Sequence, residues 1–216
     1  MKKIVVLISG SGTNLESIIN CCNSKNINGE VVCVISNNPD AYGLKRAKKL
    51  NVESKVIDHT KFCSRVDFEH ELENYLNELQ PDLIVLAGFM RILGQKIIKQ
   101  FSDKMINLHP SLLPLYPGLN THQKALNNGD EEHGISIHFV SSELDAGPLI
   151  AQGVIKIKKD EFIDSLIERI HKVEHILLPK IINDICNGNV YLENNKVKFV
   201  GMNLKNNKMY LKKYEF

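Results

Sequence analysis

The sequence predicts an α/β fold built on a doubly wound, mostly parallel sheet. Short runs rich in valine and isoleucine alternate with helical stretches through the first half of the chain, and this alternation is typical of parallel sheets. The runs KIVVLIS (3–9) and PDLIVLAG (81–88) are apolar almost throughout, as expected of strands that helices cover on both faces. The second half departs from this rhythm, so we expect a single domain with a small C-terminal hairpin.

The remaining elements follow from the same patterns. In HGISIHFV (133–140) the apolar residues alternate with Ser136 and His138, which predicts a strand with one polar face. The run VYLENNKVKFV (190–200) predicts a hairpin that turns at Asn194-Asn195, and the last dozen residues predict a loosely held tail. The other predictions are strands at 30–36, 54–58, 105–109 and 148–158, helices ending near Cys22 and spanning 41–50, about 65–79 and about 161–184, and an ordered proline-rich loop over 109–118.

Composition narrows the class of protein. Of 216 residues, 43% are hydrophobic and 24% are charged, which is ordinary for a globular protein. The net charge is 27 − 25 = +2 with no basic block, so nothing predicts binding to nucleic acid or to an anionic membrane. No apolar run reaches the roughly 20 residues of a membrane helix, and the apolar run after Met1-Lys2-Lys3 fits a strand better than a signal peptide. Five cysteines without C-x-x-C spacing predict buried free thiols and a reducing, cytoplasmic location.

A glycine-containing turn, Ser9-Gly10-Ser11-Gly12-Thr13-Asn14, joins the first strand to the first helix. Glycines allow a tight turn, and the free N–H groups of a helix N-terminus attract an anion, so this turn predicts a phosphate site. A dinucleotide fingerprint needs a third glycine where the chain has Leu15, and an acid after the second strand where it has Ser36-Asn37-Asn38. A phosphate monoester therefore fits better than NAD. A glycine turn capped by Thr13 or Asn14, without any ligand, is the alternative.

Polar side chains gather at the end of the strand 105–109. Asn107 and His109 point to the same face, at the carboxyl edge where open sheets bind ligands. Asparagine donates hydrogen bonds to carbonyl oxygens, and histidine moves protons or stabilises negative charge near neutral pH. Asp145 lies in the turn-rich loop SSELDAGP (141–148), and a carboxylate beside His109 is expected to raise the pKa of the imidazole. Each residue alone also fits a structural role, and only their joint placement favours a catalytic one.

Two further patterns resemble catalytic motifs. The run His171-Lys172-Val173-Glu174-His175 matches the H-x-x-E-H pattern of zinc hydrolases, and its two histidines share a helix face. Because the chain offers no clear acidic partner as third ligand, we expect no metal. Ser111 has no G-x-S-x-G elbow around it. His70 is expected on the surface, and His122 and His133 in loops or helix caps.

Four motifs in sequence identify a family. IVVLISGSGTN (4–14), VLAGFMRIL (85–93), INLHPSLLPLYPG (106–118) and ELDAGP (143–148) closely resemble, in the same order, motifs of the phosphoribosylglycinamide formyltransferases, the folate-dependent transformylases of purine synthesis. The resemblance runs from about residue 3 to 185. It implies a Rossmann-like formyltransferase fold with a phosphate-binding half at 1–100, a folate-binding and catalytic half at 101–188, and a hairpin and tail at 189–216.

The resemblance implies roles for individual residues. Asn107, His109 and Asp145 correspond to the catalytic trio of the family. Asn120 departs from the pattern, since related sequences often carry histidine at this position, and this affects the expected substrate contacts of the loop but not the trio.

The same resemblance implies two binding sites. The ribonucleotide site comprises Gly12, Thr13 and Asn14 for the phosphate, with Glu174 and its neighbours His171, Lys172 and Val173 near the glycinamide. The folate site comprises Arg65, Met90, Arg91, Ile92, Leu93, Asn107, Ser141, Ser142, Glu143, Leu144 and Asp145.

The reaction implied by this family is direct formyl transfer from 10-formyltetrahydrofolate to the amine of N1-(5-phosphoribosyl)glycinamide. Asn107 and a protonated His109 are expected to stabilise the oxyanion, while Asp145 holds His109 charged and helps to move the proton. The alternatives are a formyl-folate hydrolase and a non-catalytic module that binds a phosphate ligand. A methionyl-tRNA formyltransferase is disfavoured, since it would need a further RNA-binding domain. We expect a monomer or homodimer without metal or nucleic acid.

Overall fold

The computed structural model describes residues 1–201 and 209–216, and the chain divides into two compact units, Met1–Asn107 and Leu108–Phe216. The first unit contains β1 (Lys2–Ile8), α1 (Thr13–Asn23), β2 (Gly29–Ser36), α2 (Tyr42–Lys49), β3 (Ser54–Val56), a 3₁₀ turn (His59–Lys61), α3 (Arg65–Leu79), β4 (Leu83–Leu86), α4 (Gln95–Phe101) and the start of β5 (Met105–His109). The second contains α5 (Thr121–Asn128), β6 (Glu132–Phe139), β7 (Leu149–Lys156), α6 (Ile163–Cys186), β8 (Val190–Glu193), β9 (Lys196–Phe199) and β10 (Tyr210–Lys213).

Eight strands form one sheet in the order β10-β7-β6-β5-β4-β1-β2-β3, and β8 and β9 form a separate antiparallel hairpin. The pairs β1–β2, β1–β4, β2–β3, β4–β5 and β7–β10 are parallel, whereas β6–β7 is antiparallel. The predicted α/β class with a mostly parallel sheet and a C-terminal hairpin is therefore confirmed.

The core of the first unit forms around β1. Residues Ile4–Ile8 are completely buried, as the uninterrupted apolar run predicts for a strand covered on both faces. The strand runs parallel to β2 on one side and to β4 on the other, so the carboxyl ends of all three strands lie at one edge. Ser9, directly after β1, donates its backbone N–H to the Gly88 carbonyl at 3.1 Å. This edge is where the unit exposes polar loops.

The core of the second unit forms between β6, β7 and the long helix α6. Buried residues on α6 recur every three or four positions, as in Leu166, Ile170, Val173 and Leu177, which places one apolar stripe against the sheet. Val173 contacts the face of β7 at Gly153, where any added β-carbon would collide with it. Glycine at 153 therefore permits the close approach of helix and strand.

The prediction that the last dozen residues form a loosely held tail is wrong in part. Tyr210–Lys213 form β10, which pairs parallel to β7 with Tyr210 opposite Ala151, while residues 205–208 lie outside the described residues. The strand forms because β7 offers backbone hydrogen-bonding groups on that side. Tyr214 is buried directly after it, and Lys213 forms an ion pair with Glu132 at 2.6 Å.

Two short helices, α4 and α5, were not predicted. They contain seven and eight residues, so each shows barely two turns of apolar periodicity. Among the described residues, no helix combines the length and apolar character needed to cross a membrane. The cysteines are free, as predicted, but Cys63 is exposed and Cys21 half-buried.

Candidate active site

His109 is the last residue of β5 and its ring is buried. Both ring nitrogens face an acceptor oxygen. Nε2 lies 2.8 Å from the carbonyl oxygen of Tyr116, and Nδ1 lies 3.3 Å from a carboxylate oxygen of Asp145. Acceptors on both sides favour a ring that carries two protons, because each N–H then has a partner.

Asp145 lies between two imidazoles. One carboxylate oxygen faces His109 and also accepts the Gly118 N–H at 2.9 Å, and the other lies 3.8 Å from Nε2 of His138 on β6. The Asp145 side chain is almost fully buried, and its backbone has a left-handed φ of 51°. Such a backbone is uncommon outside glycine, and here it accompanies a carboxylate held by three groups.

The proline-rich loop after β5 supplies two of these contacts, Tyr116 and Gly118. It is ordered, as predicted, and a buried hydroxyl on β6 fixes it. Ser136 Oγ donates to the Ser111 carbonyl at 2.7 Å and accepts the Leu113 N–H at 2.9 Å. Gly118 has a φ of 79°, which glycine adopts without strain, so the loop can aim its N–H at Asp145.

Burial controls the protonation of His109. It lowers the pKa of the imidazole, and the Tyr116 carbonyl and the Asp145 carboxylate, which raise the pKa, offset only part of this effect. The expected effect of Asp145, which raises the pKa of His109, is present, but the opposing effect of burial is larger. In the ligand-free protein, the neutral imidazole is favoured near pH 7.

The pKa of the Asp145 carboxyl shifts in the direction of the charged form. Burial is the largest single effect and raises the pKa, but the His138 contact, the Gly118 N–H and electrostatic attraction to His109 when it is protonated together outweigh it and lower the pKa. Asp145 is therefore a buried anion, stabilised by groups from β5, β6 and the proline-rich loop.

The other predicted catalytic residue, Asn107, lies two positions before His109 on β5 and is half-buried. The alternation of a strand places both side chains on one face, as the sequence predicts. The predicted folate residues of the second unit lie in the loop before Asp145. Leu144 is 54% exposed, and Ser141 Oγ donates to the carbonyl of Glu143, so this segment presents an apolar side chain to solvent beside the buried carboxylate.

The predicted substrate residues on α6 divide into two groups. Val173 is fully buried against β7, so its side chain is core and does not face a ligand. Lys172 is exposed, with its ammonium 6.0 Å from the Phe216 ring. His171 is half-buried, and burial lowers its pKa, while Glu174 is buried. Contact of His171, Lys172 or Glu174 with a substrate stays a prediction.

The half-buried ring of His122, in the first turn of α5, contacts the buried ring of His133. The expected loop or helix-cap position is therefore nearly right for His122 and wrong for His133. His122 is on α5 and His133 on β6, with Nδ1 of the first 3.0 Å from Nε2 of the second and the rings edge to face. Burial lowers the pKa of each to about 4. Both rings are neutral at pH 7, and one donates a hydrogen bond to the other.

In the first unit, Gly12 is the N-cap of α1 and has a left-handed φ of 72°. A β-carbon at this position would lie 2.5 Å from the Gly43 Cα. Packing therefore requires a glycine here, whether or not the turn binds the predicted phosphate. Thr13 and Asn14 open the helix, where backbone N–H groups lack helical acceptors. The neighbouring cation, Arg46, donates to the Ser11 carbonyl and forms an ion pair with Glu16, so its charge is neutralised within the unit.

The predicted folate residues of the first unit lie together. Arg65, at the start of α3, forms an ion pair with Glu69 at 2.6 Å, and Glu69 accepts the Gly94 N–H at 2.8 Å. This chain of contacts joins Arg65 to Gly94, the residue directly after the segment Met90–Leu93. Met90 and Ile92 are 64% and 59% exposed, whereas Leu93 is buried.

The H-x-x-E-H pattern does not form a complete ligand set. The rings of His171 and His175 stack with centroids 6.2 Å apart. Within residues 1–201 and 209–216, no group of three histidine, cysteine or acidic side chains is arranged to hold a metal ion. Zinc ligation needs at least three such donors.

Three contributors to the His109 centre were missed from the sequence: Tyr116, Gly118 and His138. The alternation in β6 identified His138 as polar on a strand, but not its partner. Tyr116 acts through its carbonyl, which no side-chain motif reveals. The position of His138 on the polar face of a buried strand is the signal that was available.

The sequence of this chain matches a known protein family. The family described as formyl transferase matches residues 2–182, which is most of the chain. The chain therefore belongs to the formyl transferase family, and the family that the four motifs indicated is confirmed.

Individual relatives carry narrower names than the family does. The chain is 42% identical over 201 residues to the phosphoribosylglycinamide formyltransferase of Escherichia coli, a match that covers 93% of this chain and 95% of that protein. The structure is similar to that of the phosphoribosylglycinamide formyltransferase of Coxiella burnetii in complex with CHES, with a TM-score of 0.91, 45% identity and coverage of 97% and 98%. It is also similar to glycinamide ribonucleotide transformylase 1 of Symbiobacterium toebii, with a TM-score of 0.89, 37% identity and coverage of 93% and 94%.

Proposed function

We propose that this protein transfers a formyl group from 10-formyltetrahydrofolate to the amine of N1-(5-phosphoribosyl)glycinamide, in purine biosynthesis. The observation that carries the proposal is the buried His109–Asp145 pair, with Nδ1 and Oδ2 3.3 Å apart, in a chain that matches such formyltransferases over nearly its whole length. A buried acid–base pair at a strand end is suited to proton transfer and to stabilising developing charge.

The first unit binds the phosphate of the ribonucleotide at Gly12, Thr13 and Asn14. Because Arg46 is already paired with Glu16, the attraction for the phosphate comes from the backbone N–H groups and the dipole of α1. Glu174 and His171 contact the glycinamide part. The folate lies along Met90–Leu93 and Ser141–Asp145, with Arg65 at the edge, and exposed Met90 and Leu144 provide apolar surface for it.

In the reaction, the neutral amine of the substrate attacks the formyl carbon and forms a C–N bond. The carbonyl oxygen of the tetrahedral intermediate carries negative charge, which Asn107 and His109 stabilise. The amine then loses a proton, the folate nitrogen gains one, and the bond between that nitrogen and the formyl carbon breaks. Asp145 favours the imidazolium form of His109 while this negative charge is present, and so assists the proton transfer.

The hydrogen bond from His109 to Tyr116 refines this mechanism. In the ligand-free protein Nε2 is 2.8 Å from the Tyr116 carbonyl, so an oxyanion on that side competes with this carbonyl for the same donor. Burial favours the neutral ring until the anion forms. The protonated His109 is therefore a property of the intermediate and not of the resting protein.

The proposed partners are these two small molecules, with the protein in the cytoplasm as a monomer or homodimer. The chemistry described uses side chains and backbone alone, without a metal.

The test is to identify the products after incubating the protein with 10-formyltetrahydrofolate and glycinamide ribonucleotide. Mass spectrometry should find one formyl group on the ribonucleotide amine for each tetrahydrofolate released. Formate as the product would instead indicate a formyl-folate hydrolase. Retention of both ligands without turnover would indicate a binding module.

A further inference from the structure

Tyr116, in the proline-rich loop after β5, has its backbone in the left-handed region, with a φ of 54°. This conformation is unfavourable for a residue with a β-carbon and persists only where the surrounding structure holds it. The Tyr116 carbonyl oxygen accepts the Nε2–H of His109 at 2.8 Å and the hydroxyl of the buried Ser111 at 3.3 Å. The conformation of Tyr116 therefore decides where the acceptor for one nitrogen of the His109 ring lies.

The side chain of Tyr116 contacts the end of α5. Its hydroxyl donates to Asp130 Oδ2 at 2.6 Å and accepts a hydrogen bond from Asn128 Nδ2 at 2.8 Å. Asp130 is itself fixed to the helix, because its N–H donates to the Ala125 carbonyl at 3.1 Å. The bond to Asp130 raises the pKa of the Tyr116 phenol, so the hydroxyl keeps its proton and remains a donor.

The other end of α5 contacts the start of the same loop. Thr121, the first residue of the helix, is buried and donates through Oγ to the Pro110 carbonyl at 2.6 Å. One short helix therefore holds the loop at two points, Pro110 and Tyr116. Contacts at both points limit the movement of the segment between them.

We propose that Tyr116 is a positioning residue for the formyl transfer: its hydroxyl, held at the end of α5, keeps its carbonyl facing Nε2 of His109. The carbonyl holds the ring in one orientation before the reaction, with the Nε2 proton directed to the side where the oxyanion forms. A donor that is already oriented needs little reorganisation when charge develops. The catalytic part of this proposal rests on the proposed function, whereas the orientation of the ring does not.

The test is the variant Tyr116→Phe, which removes the hydroxyl and keeps the ring. The pKa of His109, followed by NMR titration of the ligand-free protein, should fall, because the carbonyl that favours the imidazolium is held less firmly. The charged groups that act on this ring, Asp145, His138 and Lys124, are unchanged in the variant. In steady-state kinetics kcat should fall about ten-fold, the effect of one well-placed hydrogen bond, with a smaller change in both KM values.

Further variants locate the effect in the contact with α5. Asp130→Ala removes the acceptor and should reproduce the effects of Tyr116→Phe, so it also serves if Tyr116→Phe does not fold. Asp130→Asn retains an acceptor oxygen and should restore most of the activity that Asp130→Ala loses. The double variant Tyr116→Phe, Asp130→Ala should lose no more than either single variant, because both remove the same contact. Tyr191→Phe, at an exposed tyrosine on β8, is the matched control and should change neither the His109 titration nor kcat.

Two results would overturn the proposal. In the first, Tyr116→Phe lowers the free energy of unfolding but leaves the His109 titration and kcat unchanged, which makes the hydroxyl purely structural. In the second, KM for one substrate rises while kcat and the His109 titration stay the same, which makes the hydroxyl a ligand contact. The titration needs no substrate. A protein with the expected change at His109 but without formyl transfer would therefore contradict the proposed function and not the role of Tyr116 in orienting the ring.

Discussion

At the residue scale, the candidate site depends on one buried ring with an acceptor on each nitrogen. The acceptors around His109 favour the imidazolium, which carries a proton on each ring nitrogen. Burial favours the neutral ring, and it has the larger effect on the pKa. Sequence reasoning correctly paired His109 with Asp145 because strand ends and turns of an open sheet meet at one edge. It did not anticipate the net direction of the pKa, since desolvation depends on packing by residues far away in the sequence.

The role of Asp145 can be tested by Asp145→Asn, which removes the charge and nearly preserves the shape. We expect kcat to fall at least ~10²-fold, the scale of losing one positioned acid–base or oxyanion group. KM for both substrates should change much less, because the charge develops in the transition state. The pKa of His109, measured by NMR titration, should fall further, because the neighbouring carboxylate that raises it is lost.

The matched control is Asp160→Asn, which removes one exposed carboxylate beyond the described site. It should leave both kcat and the His109 titration unchanged. If Asp145→Asn keeps kcat within a factor of a few and does not move the His109 titration, Asp145 has a structural role and the proposed trio is wrong.

The contact between His122 and His133 predicts how stability depends on pH. An unfolded histidine has a pKa near 6.5, and burial lowers both of these to about 4. Below pH 6.5 the unfolded chain therefore takes up protons that the folded chain does not, and the free energy of unfolding falls as the pH drops towards 4. The full shift of one ring corresponds to about 3 kcal/mol.

Denaturant titrations across this pH range provide the measurement. His133→Gln should show a shallower fall in the free energy of unfolding than the unaltered protein, because one depressed histidine is absent. His70→Gln, at an exposed position, should follow the unaltered protein. Parallel curves for all three proteins would contradict the assignment.

At the element scale, the phosphate turn combines two requirements that sequence alone cannot separate. Gly12 is needed for its φ of 72° and for the approach of Gly43, whatever the turn binds. A bulky residue at position 12 should therefore reduce stability in any case. The proposed phosphate contact is better tested at the next position, Thr13, which begins α1.

Thr13→Val removes a hydroxyl and keeps the side-chain shape. If Thr13 contacts the phosphate, KM for glycinamide ribonucleotide should rise about ten-fold, the effect of one hydrogen bond to a charged group, with little change in KM for the folate. Steady-state kinetics with each substrate varied in turn provide the measurement. Ser17→Ala, one turn further along α1, is the control and should change neither constant. Equal changes in both KM values for Thr13→Val would show a structural effect on the turn.

At the same scale, long periodic elements were predictable, whereas the short helices α4 and α5 and the strand β10 were not. The strand β1 and the helix α6 carry their own signals, in a continuous apolar run and in a stripe at helical spacing. The strand β10 has only four residues and forms because β7, about 60 positions earlier, leaves a backbone edge for it to pair with. The Tyr116 carbonyl likewise became visible as a site component only once the loop was folded.

At the scale of the whole molecule, the fold class and the family followed from the sequence, because the four motifs lie in order at strand ends and loops. The structure adds what those motifs cannot specify: the assignment of Val173 to the core, the pairing of His122 with His133, and the contact of His138 with Asp145. Each depends on contacts between elements that are distant in the sequence. The predicted roles of the binding residues themselves stay predictions.

The most direct test of the proposed function is the dependence of folate release on the amine. The release of tetrahydrofolate from 10-formyltetrahydrofolate is followed spectroscopically, with a strong chelator present, before and after glycinamide ribonucleotide is added. Formyl transfer by side chains and backbone predicts release only after the ribonucleotide is added, in equal amount to the formylated product and unaffected by the chelator. Release at the same rate without the ribonucleotide, or no release with both substrates present, would contradict it.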